Sequence, residues 1–316
     1  MIHYKSYYMK RIVVAAVLCI GLTFFASAQK EYKLQYSFKK GDAYEWSQSA
    51  LVKQHIAGPG FDQNSETTVT ANALMKVTEL TTNGAKFEIE YTKLYTNIPQ
   101  ANILMDSDGD TTKNLPNKIM QAMKGKKFNF SLTKDGTVES IENIENIWAG
   151  LTAANGFKEE QVTPTKQGLE NSFGKNSIKS NLEAAMIKYP EHKIKVGLTW
   201  NSKFETGAPF PLKTENVWTL ESAEDAAAVV VGDGQIATTD TTKVITLPQG
   251  FKATTNFKGR RVVKSNVSLT TGWPEKSKTY AEQKGSMTLL AGGQIPEDMK
   301  MQMEVSNESE YTIKKK

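Results

Sequence analysis

Apolar and polar residues alternate with a period of two over much of this chain, and this pattern limits what the chain can fold into. The stretch FNFSLTKDGTVESI, which begins at Phe128, shows the pattern clearly. Its first three apolar side chains fall on one face of an extended strand, because successive side chains of a strand point to opposite faces. Asp135 and Gly136 then supply residues that tolerate the positive φ of a tight turn, and Val138 begins the return strand. The stretch predicts a β-hairpin with one buried face.

Similar alternating runs occupy both ends of the chain. Asn83 and Gly84 separate two of them, and this dipeptide is a strong hairpin signal. A second strand–turn–strand of the same character spans residues 262–281. The alternating runs begin at Tyr32, Tyr44, Val69, Phe87, Ile194, Val217, Ala226, Val244 and Met299, and Asn83 and Gly84 lie between those that begin at Val69 and Phe87. These patterns predict a first β unit over residues 29–141 and a second over residues 191–316, which we interpret as one architecture used twice.

Elsewhere the apolar spacing is that of amphipathic helices, mostly between the two β units, in residues 142–190. Pro164 and Gly168 interrupt one stretch there, and Ser177 is the predicted N-cap of the next helix. Residues that share a helical stripe are Leu115, Ile119 and Met123 in the first unit, then Ile144, Ile147, Trp148 and Leu151, and finally Ile178, Leu182, Ala185 and Met186. The predicted fold is a β-rich α+β fold: two antiparallel curved sheets, similar to half-barrels, with several amphipathic helices between them or packed on them.

The N-terminus has the three-part pattern of a secretory signal peptide. Lys10 and Arg11 precede an apolar run over residues 12–25, and small residues at 26–28 form a cleavage site. The apolar run is shorter than the roughly 20 residues that a membrane-spanning helix requires. We therefore expect cleavage to remove residues 1–28, to leave no transmembrane anchor, and to release a periplasmic or extracellular protein.

Composition argues against several classes of function. The removed segment holds Lys5, Lys10 and Arg11 and no acid, so the formal net charge falls from +5 to +2. Lysines and acids are interspersed, whereas a nucleic-acid-binding surface needs clustered positive charge, so no nucleic-acid partner is predicted. Cys19, the single cysteine, lies in the removed segment. The mature chain therefore has no disulfide, no thiol nucleophile and no thiolate metal site.

One motif matches the dinucleotide-binding fingerprint by sequence. After a predicted strand at residues 226–231, Gly232, Gly234 and Ala237 fit the pattern G-x-G-x-x-A. That fingerprint must open a helix whose N-terminus holds the pyrophosphate. Residues 238–242 are threonines and one aspartate, which are poor helix formers. We interpret the Gly-Asp-Gly segment as a hairpin turn and predict no cofactor.

Two further patterns resemble metal sites. Asp106, Asp108 and Asp110 resemble a calcium loop, but the glycine and glutamate of the EF-hand pattern do not stand at the required positions. The M-x-M-x-M run that begins at Met299 offers thioethers of the kind that bind Cu(I). The same spacing places all three methionines on one face of a strand, where methionine packs well. A polar loop tip and a packed strand are the predictions, and no metal site is predicted.

Histidine is scarce in this chain, which holds three. His55 and His192 remain after cleavage, and neither has a partner at ligand spacing. The sequence has no H-E-x-x-H zinc motif and no G-x-S-x-G nucleophile elbow. These absences predict that the protein is not an enzyme. A carboxylate-based hydrolase stays open as an alternative, because paired acids are recognised only by their geometry in space.

Four short motifs together resemble a known family. They are Y-x-F-x-x-G-x-x-Y at 36–44, F-x-L-T-x-D-G-x-V at 130–138, V-G-x-T-W at 196–200 and T-G-W-P at 271–274. The set is similar to exported proteins of the Bacteroidota that are grouped as domain-of-unknown-function family 6263. The resemblance spans nearly the whole mature chain. It implies an exported, non-catalytic protein, and it carries no known activity and no functional residues.

A curved sheet partly covered by amphipathic helices is similar to the half-barrels of periplasmic lipid- and lipoprotein-carrier proteins. A concave apolar face can hold an acyl chain, because burying each CH2 group is worth roughly 0.8 kcal/mol. We predict a non-catalytic envelope protein that binds a lipid or other apolar ligand between sheet and helices, with a lipid or another envelope protein as partner. A structural or protein-interaction module with a dry core is the alternative. The candidate ligand-binding residues are Phe128, Phe130, Leu132, Trp148, Trp200 and Phe204.

Overall fold

The computed structural model describes residues 30–112, 114–206, 210–247, 250–292 and 295–316. The predicted signal peptide, residues 1–28, lies outside the described residues. The first strands are β1 (Glu31–Tyr32), β2 (Ala43–Gly58), β3 (Phe61–Leu80), β4 (Gly84–Ile98), β5 (Ile103–Asp106), β6 (Lys127–Thr133) and β7 (Val138–Glu142). The later strands are β8 (Ile194–Lys195), β9 (Thr199–Thr206), β10 (Leu212–Glu224), β11 (Ala227–Thr238), β12 (Ile245–Thr246), β13 (Lys252–Ser268), β14 (Pro274–Leu289) and β15 (Met299–Lys315).

Helices occupy several connections between these strands. They are α1 (Leu115–Met123), α2 (Glu159–Phe173) and α3 (Lys175–Ala185), with 3-10 helices at Pro99–Ala101, Ile144–Gly150 and Ala153–Asn155. Helix α1 begins after Asn114, whose side chain accepts a hydrogen bond from the backbone N–H of Asn117. Among the described residues, no helix is both long enough and apolar enough to cross a membrane.

Two helix predictions differ from the structure. The backbone of α2 stays helical through Pro164 and Gly168, so the predicted interruption of this helix is wrong. Its Leu169 and Phe173 pack against the core, and such tertiary contacts override weak helix propensity. The predicted N-cap Ser177 was wrong, because α3 begins two residues earlier and Ser177 lies inside its first turn.

One large antiparallel sheet contains nearly all the strands. Its thirteen strands follow the order β7-β6-β4-β3-β2-β15-β14-β13-β11-β10-β9, with β5 added to β4 and β12 added to β13. Strands β1 and β8 form a separate pair. The large sheet is open, because its path ends at β7 on one side and β9 on the other. The predicted β-rich fold of antiparallel curved sheets is confirmed.

The two predicted β units join edge to edge through the central strands β2 and β15, which pair along almost their whole lengths. The first unit runs from the centre of the sheet outward, whereas the second runs from the edge strand β9 inward. The hairpin predicted at residues 128–141 is present as β6–β7 and lies at an edge. Its proposed counterpart at 262–281 belongs to β13–β14, inside the sheet. The two hairpins therefore do not hold equivalent positions.

The segment Gly232-Asp233-Gly234 lies inside β11, so its interpretation as a hairpin turn was wrong. Strand β11 pairs along its length with β10 and β13 and opens no helix, which also excludes the dinucleotide fingerprint. The glycines make room for larger side chains on the neighbouring strand. A Cβ atom at Gly232 would lie 2.6 Å from the ring of Trp218, and one at Gly234 would collide with the side-chain oxygen of Asn216.

Helix α3 lies between the two ends of the open sheet. It packs against both β7 and β9. The segment after α3 is held from both sides, because the Tyr189 N–H donates to the Asp135 carbonyl at 2.7 Å. From the other side, the indole Nε1–H of Trp200 donates to the Lys188 carbonyl at 2.8 Å. The main core thus continues from the inner face of the sheet, which we define as the face covered by helices, into α3.

A second, smaller core lies at the far end of the long strands. Met301 and Met303 are buried there against Phe257 and Met287, and Met299 packs on the same cluster. The methionine run therefore packs, as predicted, on one face of β15.

Candidate functional site

A cavity of about 630 Å3 lies between the inner face of the sheet and the helices α2 and α3. Its volume falls within the roughly 300–1,000 Å3 that is typical of small-molecule sites. Strands β2, β3 and β4 supply one wall, and Met105 of β5 and Met120 of α1 close one side. None of the described residues that line the cavity carries a charge. An uncharged cavity of this size is suited to an apolar ligand.

Apolar side chains make up most of the wall. From the sheet these are chiefly Trp46, Val52, Val69, Ile89, Tyr91 and Leu94, and from the helices Leu169, Phe173, Ile178 and Leu182. The period-two alternation of β2 and β3 turns these side chains inward. Ala50 pairs with Val69, and Ala71 pairs with Gln48 on the next inward position. Because the two alanines are small, they leave room for the cavity.

Uncharged polar side chains interrupt the apolar wall at ten of the described lining positions. Ser180 and Asn181 of α3, Thr206 of β9 and Asn307 of β15 all line the cavity. Burial raises the pKa of Tyr91, so its hydroxyl stays neutral. Hydroxyl and amide groups within a mainly apolar wall fix the orientation of a ligand without changing its class.

Three of the six predicted ligand-binding residues lie on β6, away from this cavity. Phe128, Phe130 and Leu132 are each 1% exposed. Phe130 stacks on Phe87 with ring centroids 4.8 Å apart. These side chains fill the core between β6 and β4, and none of them lines the cavity.

The other three also lie outside the cavity wall. Trp148 is buried in the 3-10 helix Ile144–Gly150. Trp200 stacks on Trp218 with ring centroids 6.4 Å apart. Phe204 lies beneath the guanidinium of Arg261, 5.7 Å from ring centroid to Cζ, and lines a smaller neighbouring pocket. A ligand-binding role for the six residues stays a prediction.

Sequence reasoning did not single out the residues that do line the cavity. Trp46 and Val69 belong to alternating runs that it identified, so their inward direction was available from the pattern. Which inward side chains meet a helix and which meet a void depends on where α2 and α3 lie over the sheet. Those helices begin at Glu159 and Lys175, about a hundred residues after Val69. No local pattern in β2 or β3 carries that information.

Carboxylates of the aspartate-rich loop after β5 are already bound by protein groups. Asp108 pairs with Lys124 and Lys93, and the hydrogen bond from Lys124 holds the pKa of Asp108 below its usual range. Asp110 accepts hydrogen bonds from the backbone N–H and hydroxyl of Thr112, which lower its pKa. Within the described ranges, no three His, Cys, Asp or Glu side chains come together as a metal site.

Glu183 of α3 is the carboxylate in the described part of the chain whose pKa is raised. Burial is the main cause, and the positive charges of Lys179 and Lys188 act in the opposite direction. The charges that act on Glu183 are therefore lysines. A carboxylate-based hydrolase needs a second carboxylate facing the first, and no carboxylate is among the groups that shift the pKa of Glu183.

The sequence model of a family of unknown function, DUF6263, matches residues 82–274, which is more than half of the chain. Three of the four sequence motifs lie within the matched residues. The comparison with curated proteins gave no match.

Several solved structures are distantly similar to the chain. A structure titled "Lipid-protein interactions in lipovitellin" aligns with a TM-score of 0.46 and 11% identity, over 88% of this chain and 25% of that chain. The outer membrane protein OprG from Pseudomonas aeruginosa aligns with a TM-score of 0.24 and 8% identity, over 88% and 98%. An outer membrane channel from Pseudomonas putida F1 aligns with a TM-score of 0.22 and 8% identity, over 88% and 97%. The chain spans about a quarter of the lipovitellin chain. At these scores the likenesses give no evidence on function.

Proposed function

We propose that this chain, which belongs to the family of unknown function DUF6263, is a non-catalytic binding protein whose cavity holds the acyl chain of a lipid or a similar apolar ligand. The observation that carries the proposal is the cavity of about 630 Å3 between the sheet and the helices α2 and α3. Its wall is mainly apolar, and the described lining residues carry no charge.

The physical cost of leaving such a cavity empty supports a ligand. Protein interiors are packed as densely as organic crystals, and unfilled apolar volume destabilises the fold because the lining atoms lose contacts. Water fills a cavity well only where several polar groups offer hydrogen bonds. Apolar side chains such as Val52, Val69 and Leu94 offer none. A flexible hydrocarbon chain restores the missing contacts and is itself removed from water.

The alternative of an interaction module without a pocket has less support. A module of that kind presents a contiguous exposed apolar patch. The large apolar side chains that are exposed among the described residues lie on several elements, for example Phe61 at the β2–β3 turn and Val217 on β10. The ones on packed neighbours are Ile103 and Leu104 of β5 and Leu115 of α1. The cavity, in contrast, is a single continuous feature.

We also propose that the protein acts outside the cytoplasm, as residues 1–28 of the sequence predict. An apolar ligand needs a carrier when it must cross an aqueous compartment. Native mass spectrometry of the protein purified from its own host tests both points. The polypeptide mass is expected to show the loss of residues 1–28, and a ligand is expected to add mass to it. An intact leader would contradict export, and a protein free of ligand would count against carriage.

The decisive test measures affinity for fatty acids of increasing chain length. Each CH2 group buried adds roughly 0.8 kcal/mol, which corresponds to about a fourfold gain in affinity. We expect affinity to rise by about this factor per CH2 until the cavity is filled, as measured by displacement of a fluorescent fatty acid. Affinity that does not change with chain length would contradict the proposal.

A pair of matched variants locates the binding. Val69→Trp places a large ring in the cavity and is expected to abolish binding, because Val69 lines the wall. Val217→Trp is the control, since Val217 is 47% exposed on β10 and lies outside the cavity. Binding that survives Val69→Trp unchanged would place the ligand elsewhere.

A further inference from the structure

A row of inward-facing positions crosses half of the sheet beside the cavity. We call it the inner rung, because its members are direct neighbours on adjacent strands. They are Ser202 on β9, Asn216 on β10, Gly234 on β11, Arg261 on β13, Ala281 on β14 and Asn307 on β15. Adjacent strands lie about 4.8 Å apart. Asn307, at one end of the rung, lines the cavity, and Arg261 and Asn216 line a smaller pocket.

Arg261 is a buried cation without a carboxylate partner among the described residues. The residue is 6% exposed, and within the described part of the chain its guanidinium donates one hydrogen bond, from Nη2 to the Ala184 carbonyl at the end of α3, at 2.6 Å. A guanidinium has five N–H donors. Burial lowers the pKa of Arg261 to about 10, so the group remains a cation at neutral pH. The neighbouring Arg260 is exposed and binds Asp233 through two hydrogen bonds.

Asn216 is a second buried group that lacks partners. It is 2% exposed, and neither its Nδ2 nor its Oδ1 atom has a hydrogen-bond partner among the described residues. Its amide lies over Gly234, where a Cβ atom would collide with Oδ1. Because Gly234 has no side chain, the side chain of Asn216 has room to extend along the inner rung toward Arg261. Buried polar atoms without partners are rare in native proteins and call for an explanation.

Both groups line one pocket of about 40 Å3. Lys188 and Lys203 also line it, and its one described acid, Glu183, is paired with Lys179 at 3.8 Å. The pocket therefore carries an excess of positive charge. Its volume exceeds the roughly 10–15 Å3 that a single water requires, and it suits a small anionic group.

The pocket and the cavity are neighbours on the same elements. Ala184, whose carbonyl accepts the hydrogen bond from Arg261, lines the cavity. On β9, Phe204 lines the pocket, and Thr206, the next residue on the same face, lines the cavity. A ligand with a small anionic head and an apolar chain fits this arrangement, with the head in the positively charged pocket and the chain in the mainly apolar cavity.

We propose that Arg261 and Asn216 bind the carboxylate head of an amphiphile whose apolar chain lies in the cavity. This proposal rests on the proposed function. The planar fork of a guanidinium matches the two oxygens of a carboxylate, and such charge-assisted hydrogen bonds are among the strongest in proteins. The amide N–H2 of Asn216 supplies a further donor. The ligand class is thereby narrowed from apolar molecules in general to fatty acids and similar long-chain carboxylates.

Three ligands test the head group separately from the chain. Dodecanoate, dodecan-1-ol and butyrate are titrated into the mature protein at pH 8 by displacement of a bound fluorescent fatty acid and by calorimetry. We expect dodecanoate to bind about tenfold more tightly than the alcohol, or better, because only the acid engages the buried cation. This comparison needs no substitution.

Two neighbouring arginines provide matched variants. Arg261→Met is expected to weaken dodecanoate binding by about tenfold or more and to leave the affinity for the alcohol unchanged. Arg260→Met, on the outer face of the same strand, is expected to change neither. Asn216→Ala is expected to reduce the affinity for the acid alone, and it serves as the second variant if Arg261→Met does not fold.

The outcomes separate this proposal from the function on which it rests. Equal binding of acid and alcohol, unaffected by Arg261→Met, would overturn the head-group site and leave the acyl cavity in place. If neither long-chain ligand binds, the acyl cavity is refuted, and the butyrate titration then tests whether the smaller pocket binds an anion. Butyrate binding that depends on Arg261 would support an anion site that takes small carboxylates, and no binding of butyrate would overturn the site as well.

Discussion

At the scale of single residues, Gly136 and Tyr36 fix the position of the β6–β7 hairpin. The Tyr36 hydroxyl donates to the Ile187 carbonyl at 3.2 Å and accepts from the Ile187 N–H at 3.0 Å. Burial raises the pKa of Tyr36, so this hydroxyl keeps its proton. Gly136 has φ +94°, and a Cβ atom there would collide with the Ile187 carbonyl oxygen and lie 2.7 Å from the Tyr36 ring. The turn of the hairpin thus touches the segment that follows α3.

Gly136 has two reasons to be glycine, its positive φ and its close contact with Ile187, and a pair of substitutions separates them. Gly41 has a nearly equal φ of +91°, but a Cβ atom there meets nothing within 4 Å. Gly41→Ala is expected to cost about 1–2 kcal/mol of unfolding free energy, from the left-handed backbone alone. Gly136→Ala carries the same cost and about 1–3 kcal/mol more from overpacking. Urea denaturation measures both, and equal losses would show that the contact with Ile187 is unimportant.

At the scale of elements, α3 joins the two ends of the open sheet. It packs on β7 and β9, its last turn accepts the hydrogen bond from Arg261, and its inner side lines the cavity. Glu183 lies on this helix, is partly buried and lines the smaller pocket of about 40 Å3. Its pKa is raised above the ordinary value of 4.5. The helix therefore carries a charge that the folded state disfavours.

The raised pKa of Glu183 predicts a pH dependence of stability. At pH values just above 4.5 the folded protein binds more protons at Glu183 than the unfolded chain does. The stability that this group contributes therefore falls as the pH rises through that range. Glu183→Gln removes the loss, so the melting temperature of the variant relative to the parent is expected to increase between pH 4 and pH 7. Glu139→Gln, on an exposed position of β7, is the control. A difference that does not change with pH would contradict this account.

At the scale of the whole molecule, the N-terminal and C-terminal β units share one sheet. Strand β15, the last in the chain, pairs with β14 on one side and with β2 on the other. Without it, both neighbours would present long unpaired edges, and the continuous row of hydrogen bonds across the sheet would be broken. The main core also draws residues from both units, from Leu34 to Ile313.

This shared sheet predicts a single unfolding transition. Calorimetry of the chain from residue 29 to 316 is expected to show one cooperative transition, with equal calorimetric and van't Hoff enthalpies. Separate fragments covering 29–190 and 191–316 are expected to show none. A fragment that unfolds cooperatively on its own would show that the units are independent domains.

The sequence by itself determined the local structure of this protein. The period-two alternation predicted the β6–β7 hairpin, the turn at Gly136 and the inward direction of residues such as Trp46 and Val69. It also predicted that the methionines of β15 pack. Each of these properties depends on a few neighbouring residues, and backbone geometry turns such a pattern into a face or a turn without reference to the rest of the chain.

The tertiary structure alone decided the order of the strands, the junction of β2 with β15 and the place of the cavity. It also decided that Gly232 and Gly234 lie within a strand, where they leave room for Trp218 and Asn216. The reason is physical: strand order, voids and unpaired buried groups arise from contacts between residues that are far apart in the chain. A period of two fixes which side of a strand is buried, and it contains nothing about what is packed against that side.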